Sequence, residues 1–278
     1  MLNELNNFVY ENHLGKRFVG LENGVYLNHS DILDYSWSYD VINNRISRFF
    51  RSVTARGLPL VVIGKTGAEA TAAKNRLLEI AEADIQAILP GKIYVGEYYS
   101  CGFITASKKS KYLYNKRHCN LNLEFTSYNP EWYRDQTHSF FPGSGSIANG
   151  SGTDYPYDYR FDYSVSKTGQ EIVCDSILDN AFKIRIYGAV ENPSITIGGH
   201  VYSINGTIAA GETLLIDSLT KKITLTKADG SKENWFDKRS RESYIFREIP
   251  PGQHTVIWDD SFGFDLTVIE KRSEPRWT

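Results

Sequence analysis

The sequence predicts a mainly β protein of two domains with a single long helix, and three observations lead there. Aromatic residues are abundant, with 18 Tyr, 14 Phe and 5 Trp, and such side chains suit pleated surfaces. Only one stretch, 66–89, carries a sustained helical period. The second half of the 278-residue chain breaks into short alternating segments bounded by turn residues, the pattern of an antiparallel sandwich.

Taken in order, residues 1–50 read as loop and short strands. Tyr35-Ser36-Trp37-Ser38-Tyr39 alternates aromatic with small polar residues and predicts a half-buried strand. Residues 49–56 continue towards Leu58-Pro59, and 60–63 is a fully apolar, buried strand. The helix over 66–89 follows. Thr66 and Glu69 form a capping box at its start, and Pro90-Gly91 ends it. Ala70, Ala73, Leu77, Leu78, Ala81, Ile85, Ile88 and Leu89 are expected to form its apolar face. Glu69, Arg76, Glu79, Glu82 and Gln86 are expected opposite, and Asp84 interrupts the edge of the stripe.

After the helix, 92–99 and 103–105 read as strands, with Ser100-Cys101-Gly102 as a turn or a bulge between them. Lys108, Lys109 and Lys111 make a small basic tip. In 120–128, Leu121, Leu123 and Phe125 share one face. The Gly/Ser-rich run 141–156 is expected to link a first domain, 1–140, to a second, 157–278. There Phe182, Ile184 and Ile186 alternate with polar partners. Ile195 to Ile197 and His200 to Ile204 form a hairpin through Gly198-Gly199. Segments 213–217 and 222–227 form another, and Asp229-Gly230 is a further turn. Segments 244–249, 254–258 and 264–268 complete the expected strands, in a jelly-roll-like arrangement that hides sheet edges.

Composition and motifs narrow the chemistry. A net charge of −2 without a long basic run argues against a grip on nucleic acid through phosphates. The opening MLNELNNFVYENHLGKRF lacks a basic start and an apolar core, so no secretion signal is expected, and no apolar run is long enough to span a bilayer. Cys101, Cys119 and Cys174 are expected as free thiols. Gly64-Lys65-Thr66 imitates a phosphate-binding loop, but Pro59 stands where the first glycine belongs and Leu60 to Ile63 replace the flexible loop. No G-x-S-x-G is in register. The six histidines, His13, His29, His118, His138, His200 and His254, show no metal-binding spacing. Asp259-Asp260 reads as an exposed turn. No catalytic, cofactor or metal residue is therefore assigned, no cofactor is expected, and the ligand-binding residues stay open.

From Tyr155 onward the chain resembles the distal tail proteins of long-tailed phages and prophages of Gram-positive bacteria, the siphovirus baseplate hub. The likeness rests on Tyr155-Pro156-Tyr157-Asp158-Tyr159, Asn192 to Ile197, Gly211 to Asp217, Ile249-Pro250-Pro251-Gly252 and Arg272 to Trp277. Upstream, the strand, helix and hairpin from Leu58 to Ala106 match in order and spacing. The resemblance implies an N-terminal β domain, with α-helix and β-hairpin, that forms a homo-hexameric ring. It implies a C-terminal galectin-like antiparallel β-sandwich outside that ring. The implied partners are further copies of the chain, the tail tube protein, the tail-associated fibre or lysin protein and a receptor-binding protein. DNA would pass the channel without specific binding, and no membrane is involved. The implied location is the virion tail tip, assembled in the host cytoplasm, and no enzymatic activity is expected.

The rival reading is a carbohydrate-binding adhesion module for host cell-wall polysaccharide. Galectins use a His-x-Asn-x-Arg strand and a later Trp and Glu-x-Arg. Here His200 is followed by Val201-Tyr202-Ser203-Ile204, and Asn234-Trp235 by Phe236-Asp237-Lys238-Arg239. Trp235 therefore reads as a core or interface residue.

Overall fold

A computed structural model describes residues 8–28, 30–110, 117–142 and 170–276. The chain divides into two compact units, Met1–Arg134 with Arg272–Thr278, and Asp135–Lys271. Of the expected linker 141–156, everything from residue 143 on lies outside the described residues, as do Tyr155 to Tyr159, Lys111, His29 and Trp277.

The first unit begins with β1 (Val9–Glu11), β2 (Arg17–Val19), a 3-10 turn over Leu21–Asn23 and β3 (Val25–Leu27). A hairpin of β4 (Ser38–Ile42) and β5 (Arg45–Phe50) pairs only with itself. Then come β6 (Thr54–Ile63), α1 (Gly67–Ala87), β7 (Gly91–Val95), β8 (Tyr98–Ser110), β9 (His118–Ser127) and the start of β10 (Trp132–Phe140). Strands β2, β1, β7 and the first half of β8 form one sheet, and β3, β6, β9 and the second half of β8 form another. Alternation along β9 sends Leu121, Leu123 and Phe125 inward, as expected, to meet Leu58, Leu60 and Val62 of β6. Ala70, Ala73, Leu77, Ile80 and Ala81 of α1 close this core.

The capping box forms as its sequence requires: the Glu69 amide donates to Thr66 Oγ1 (3.2 Å), and the Thr66 amide donates to Glu69 Oε2 (3.4 Å). Three expectations are corrected. The turn after β7 falls at Gly96-Glu97, where Gly96 takes a left-handed φ of 58°. Residues 100–102 instead run through β8, because Gly102 lets the strand lie against Phe125: a Cβ there would stand 2.7 Å from that ring. The segment around Tyr35 to Tyr39 is not half-buried, since β4 starts only at Ser38 and stands exposed with β5. The stripe of α1 ends differently as well. Ile85, Ile88 and Leu89 face solvent, while Asp84 is wholly buried.

The second unit is a two-layer antiparallel sandwich. One layer orders the rest of β10 beside β21 (Phe264–Arg272), β12 (Ala181–Tyr187), β17 (Thr213–Asp217), β18 (Lys222–Thr226) and β19 (Lys232–Asn234). The other orders β11 (Gln170–Cys174), β20 (Gly252–Trp258), β14 (Ser194–Ile197) and β15 (His200–Ser203). A short pair, β13 (Val190–Glu191) with β16 (Thr207–Ile208), stands beside them. Phe182, Ile184 and Ile186 share the inner space with Ile195, Ile197, Leu214, Ile216, Val256 and Leu266. The hairpin of β14 and β15 turns through Gly198 (φ 55°) and Gly199 (φ 82°), and β17 pairs β18 in register. Residues 244–249 are not the expected strand. They form a turn and loop from which only Ile249 bridges, to Asn180. The mainly β class read from the sequence is the class found.

Candidate functional site

The most distinctive surface of the first unit is the β4–β5 arm. Its turn, Asn43-Asn44, has positive φ at both positions (50° and 58°), the primed geometry that matches strand twist. Asparagine tolerates that region better than most residues with a Cβ. Cα pairing joins Tyr39 to Phe49, Asp40 to Arg48 and Val41 to Ile46, so Ser47 is an extra residue on β5. Its hydroxyl donates to the Asp40 carbonyl (3.1 Å). The bulge has a consequence. Without it Ile46 and Phe49, an odd number of positions apart, would point to opposite faces. With it, Tyr39, Val41, Ile46 and Phe49 share one face, joined by Trp37, whose ring meets Phe49 edge-on at 6.4 Å. Ser38, Asp40, Ile42, Arg45, Arg48 and Phe50 take the other.

These five apolar side chains are 43–57% exposed. The root of the arm is fixed. Arg51 stacks over Trp37 at 4.2 Å, donates to the Pro130 carbonyl (3.3 Å) and to Ser273 Oγ (2.5 Å), and lies 3.6 Å from Glu131. A two-stranded hairpin is marginal alone, and this clamp anchors the arm at its root.

A second feature lies at the C-terminal end of α1. Asp84 accepts from the Tyr10 hydroxyl (2.5 Å) and the His13 amide (2.8 Å), and its Oδ1 meets His13 Nδ1 at 2.6 Å. Burial, then the bond to Asp84, pushes the Tyr10 phenol far above its ordinary range. Gly91 admits this arrangement, because a Cβ there would fall 2.3 Å from both Asp84 Oδ2 and Tyr10 Oη. Beyond it Ile88, a β-branched residue, adopts a left-handed φ of 55° and is exposed.

The residues weighed from sequence fall elsewhere. The amides of Lys65 and Thr66 donate to Glu69, so a carboxylate of this chain occupies the place a phosphate would take. Gly64 serves packing: its Cβ would lie 2.7 Å from the Ala70 amide. His200 Nε2 meets the Tyr244 carbonyl at 2.9 Å, its ring lies edge-on to Tyr202, and Trp235 joins the buried core of the sandwich. Asp259 accepts from the amide and hydroxyl of Ser261 in a local turn. None of the three cysteines is in a disulfide, and burial raises the Cys174 thiol to about 11. Among the described residues, no three His, Cys, Asp or Glu side chains cluster as metal ligands, and no helix is long and apolar enough to cross a membrane.

Sequence reasoning missed the arm and the Asp84 contact. The Asn43-Asn44 turn between alternating residues was a readable hairpin signal. The partnership of Asp84 with Tyr10 spans 74 positions and had none.

No family model and no curated protein matches the chain. Its fold is a two-unit, mainly β architecture that solved phage baseplate components share. It is similar to the SPP1 Dit protein, described as a paradigm of the hub adsorption apparatus in phages infecting Gram-positive bacteria. That likeness has a TM-score of 0.55 at 9% identity and covers 95% of this chain and 99% of that one. It is also similar to a chain of the phage P2 baseplate in its activated conformation, with a TM-score of 0.62. There identity is 11% in the structure with Ca and 13% in that with Sr, and each covers 97% of this chain and 99% of the other. The resemblance read from the sequence is met at the level of fold.

Proposed function

We propose that this chain is a structural protein of a phage or prophage tail, the hub that ends the tail tube and founds the baseplate. The observation that carries the reading is the extent of the fold likeness to the Dit protein and to a baseplate chain. It runs through both units and leaves almost none of either chain unmatched. In this reading the first domain, 1–140, closes into a homo-hexameric ring between the tail tube and the tail-tip fibre. The second, 157–278, is a galectin-like sandwich on which receptor-binding proteins anchor. Catalysis plays no part. In keeping with that, the buried carboxylate of Asp84 is taken up by the Tyr10 hydroxyl and the His13 amide at the end of α1.

Ring closure requires a heterologous contact, one surface of a copy against a different surface of the next. The exposed arm, anchored at its root, supports that requirement. Native mass spectrometry over a concentration series, with negative-stain microscopy of the same samples, tests the reading. Sixfold rings with an open centre are expected. A strict monomer at every concentration would refute it.

A further inference from the structure

The first unit carries two apolar surfaces of unequal shape, and neither covers the other. One is the flat face of the arm, formed by Trp37, Tyr39, Val41, Ile46 and Phe49. The other lies at the C-terminal end of α1, where Ile85, Ile88 and Leu89 are 40–81% exposed. Leu78, Glu82 and Ile85 fall on one stripe of α1, Ile88 and Leu89 follow directly past its end, and Leu78 already packs at the margin of the core.

The two elements carry opposite net charge. From Leu78 to Leu89 the exposed ionic groups are Glu79 and Glu82, no basic residue occupies the last turn, and the helix dipole adds negative potential there. The arm carries Arg45 and Arg48 against the single carboxylate Asp40. Both arginines stand on the face away from Tyr39, Arg48 over the Phe50 ring at 5.5 Å, so their charge acts as a potential around the ribbon. Both surfaces are also held in place, the arm by Arg51 at its root and the helix end by Asp84 on Tyr10 and His13. Ile88 adds an independent sign. A β-branched side chain is a poor choice for a left-handed helix cap and for exposure to water, and such strain collects where a contact needs it.

Resting on the ring reading above, we infer that the arm of one copy lies along the Leu78-to-Leu89 surface of the next. Tyr39, Val41, Ile46 and Phe49 would cover Ile85, Ile88 and Leu89, while Arg45 and Arg48 on the ribbon's other face add positive potential opposite the acidic end of α1. The contact is head-to-tail, because the two surfaces differ and belong to one unit.

Two variants test it in the full chain: Val41→Asp with Ile46→Asp on the arm, and Ile85→Asp with Leu89→Asp on the helix. Far-UV circular dichroism checks their folding, and Ile46→Ser and Ile85→Ser serve if an aspartate pair does not fold. By sedimentation velocity each variant alone is expected to need at least a hundredfold more protein than the wild type to assemble. The two are then mixed in equal amounts at a concentration a hundredfold above the wild-type midpoint. Each retains one intact surface, so the mixture is expected to yield a two-chain species and nothing larger. A mixture that stays monomeric while the wild type forms rings would overturn the pairing and leave the ring standing. So would either variant assembling as the wild type does. A wild type that never assembles removes both ideas together.

Discussion

At the scale of single residues, the strongest constraint is the group around Asp84. Its carboxylate is shut away from water yet accepts from a phenol, an amide and a histidine ring. An apolar replacement keeps the burial and strands the donors. Asp84→Leu is therefore expected to destabilise the fold by about 2–4 kcal/mol, since each unpaired buried donor costs roughly 1–3 kcal/mol. Adding Tyr10→Phe removes one stranded donor, so the double variant should lose less than the sum of the singles, as chemical denaturation of all three would report. Gly91→Ala acts on the same group from outside, costing about 1–3 kcal/mol because backbone or side chains must shift. His138 sets a pH dependence. It is half-buried, its Nε2 has no partner, and burial lowers its pKa below the ordinary 6.5. As pH falls below that value, the unfolded chain takes up a proton that the folded form resists. Stability thus declines from there down to the lowered value and no further on this account. His138→Gln should flatten that decline in urea melts recorded between pH 7 and pH 5. Little of this was readable beforehand: a periodicity argument sees Asp84 as a flaw in an apolar stripe, because its partners come from another part of the chain.

At the scale of elements, strands and turns were legible where local chemistry decides them. The glycine pair at 198–199, the alternation in 120–128 and the capping box all acted as expected. Two of the errors share one physical origin. Alternation reveals that residues share a face but not what covers that face, so the aromatics around Tyr39 looked half-buried when they belong to an exposed arm. The same limit explains Ile85, Ile88 and Leu89, whose spacing in the sequence continues the stripe although the core ends before them and the helix ends at Ala87. Two expectations follow for these elements. Deleting Ser47 leaves Ile46 two positions from Phe49, so the ladder becomes regular with Ile46 still on the apolar face, and assembly should persist where Ile46→Ser weakens it, with the melting temperature nearly unchanged. Ile88→Gly should move stability and assembly in opposite directions. Glycine accepts a positive φ freely, so the monomer gains about 1 kcal/mol. The exposed side chain is lost, however, and the concentration needed for assembly rises. Thermal melts at low protein concentration and sedimentation at high concentration separate the two effects.

At the scale of the whole molecule, each unit is built around its own core, and the chain enters the second unit earlier than a linker at 141–156 suggests. The reason lies in Phe140. It stacks on Phe264 at 4.6 Å, meets Trp258 edge-on at 5.4 Å and is almost completely buried. Beside it Ser139 donates to Asp265 (2.7 Å), and the hydroxyls of Thr137 and Thr267 are 2.9 Å apart. Residues 135–140 therefore finish a sheet, although in the sequence they only precede a Gly/Ser run whose composition draws the eye. A fragment of 135–271 retains this strand, whereas one of 157–271 leaves an aromatic hole and the edge of β21 uncovered. Emptying the Phe140 site alone costs about 3–5 kcal/mol by analogy with large-to-small core replacements. That is a large share of the total stability of about 5–15 kcal/mol that a single domain commands. The longer fragment is expected to unfold in one cooperative transition. The shorter should melt far lower or stay only partly folded, as near-ultraviolet circular dichroism and denaturant titration would show. Equal stability of the two would mean that the strand at 135–140 contributes nothing to the sandwich.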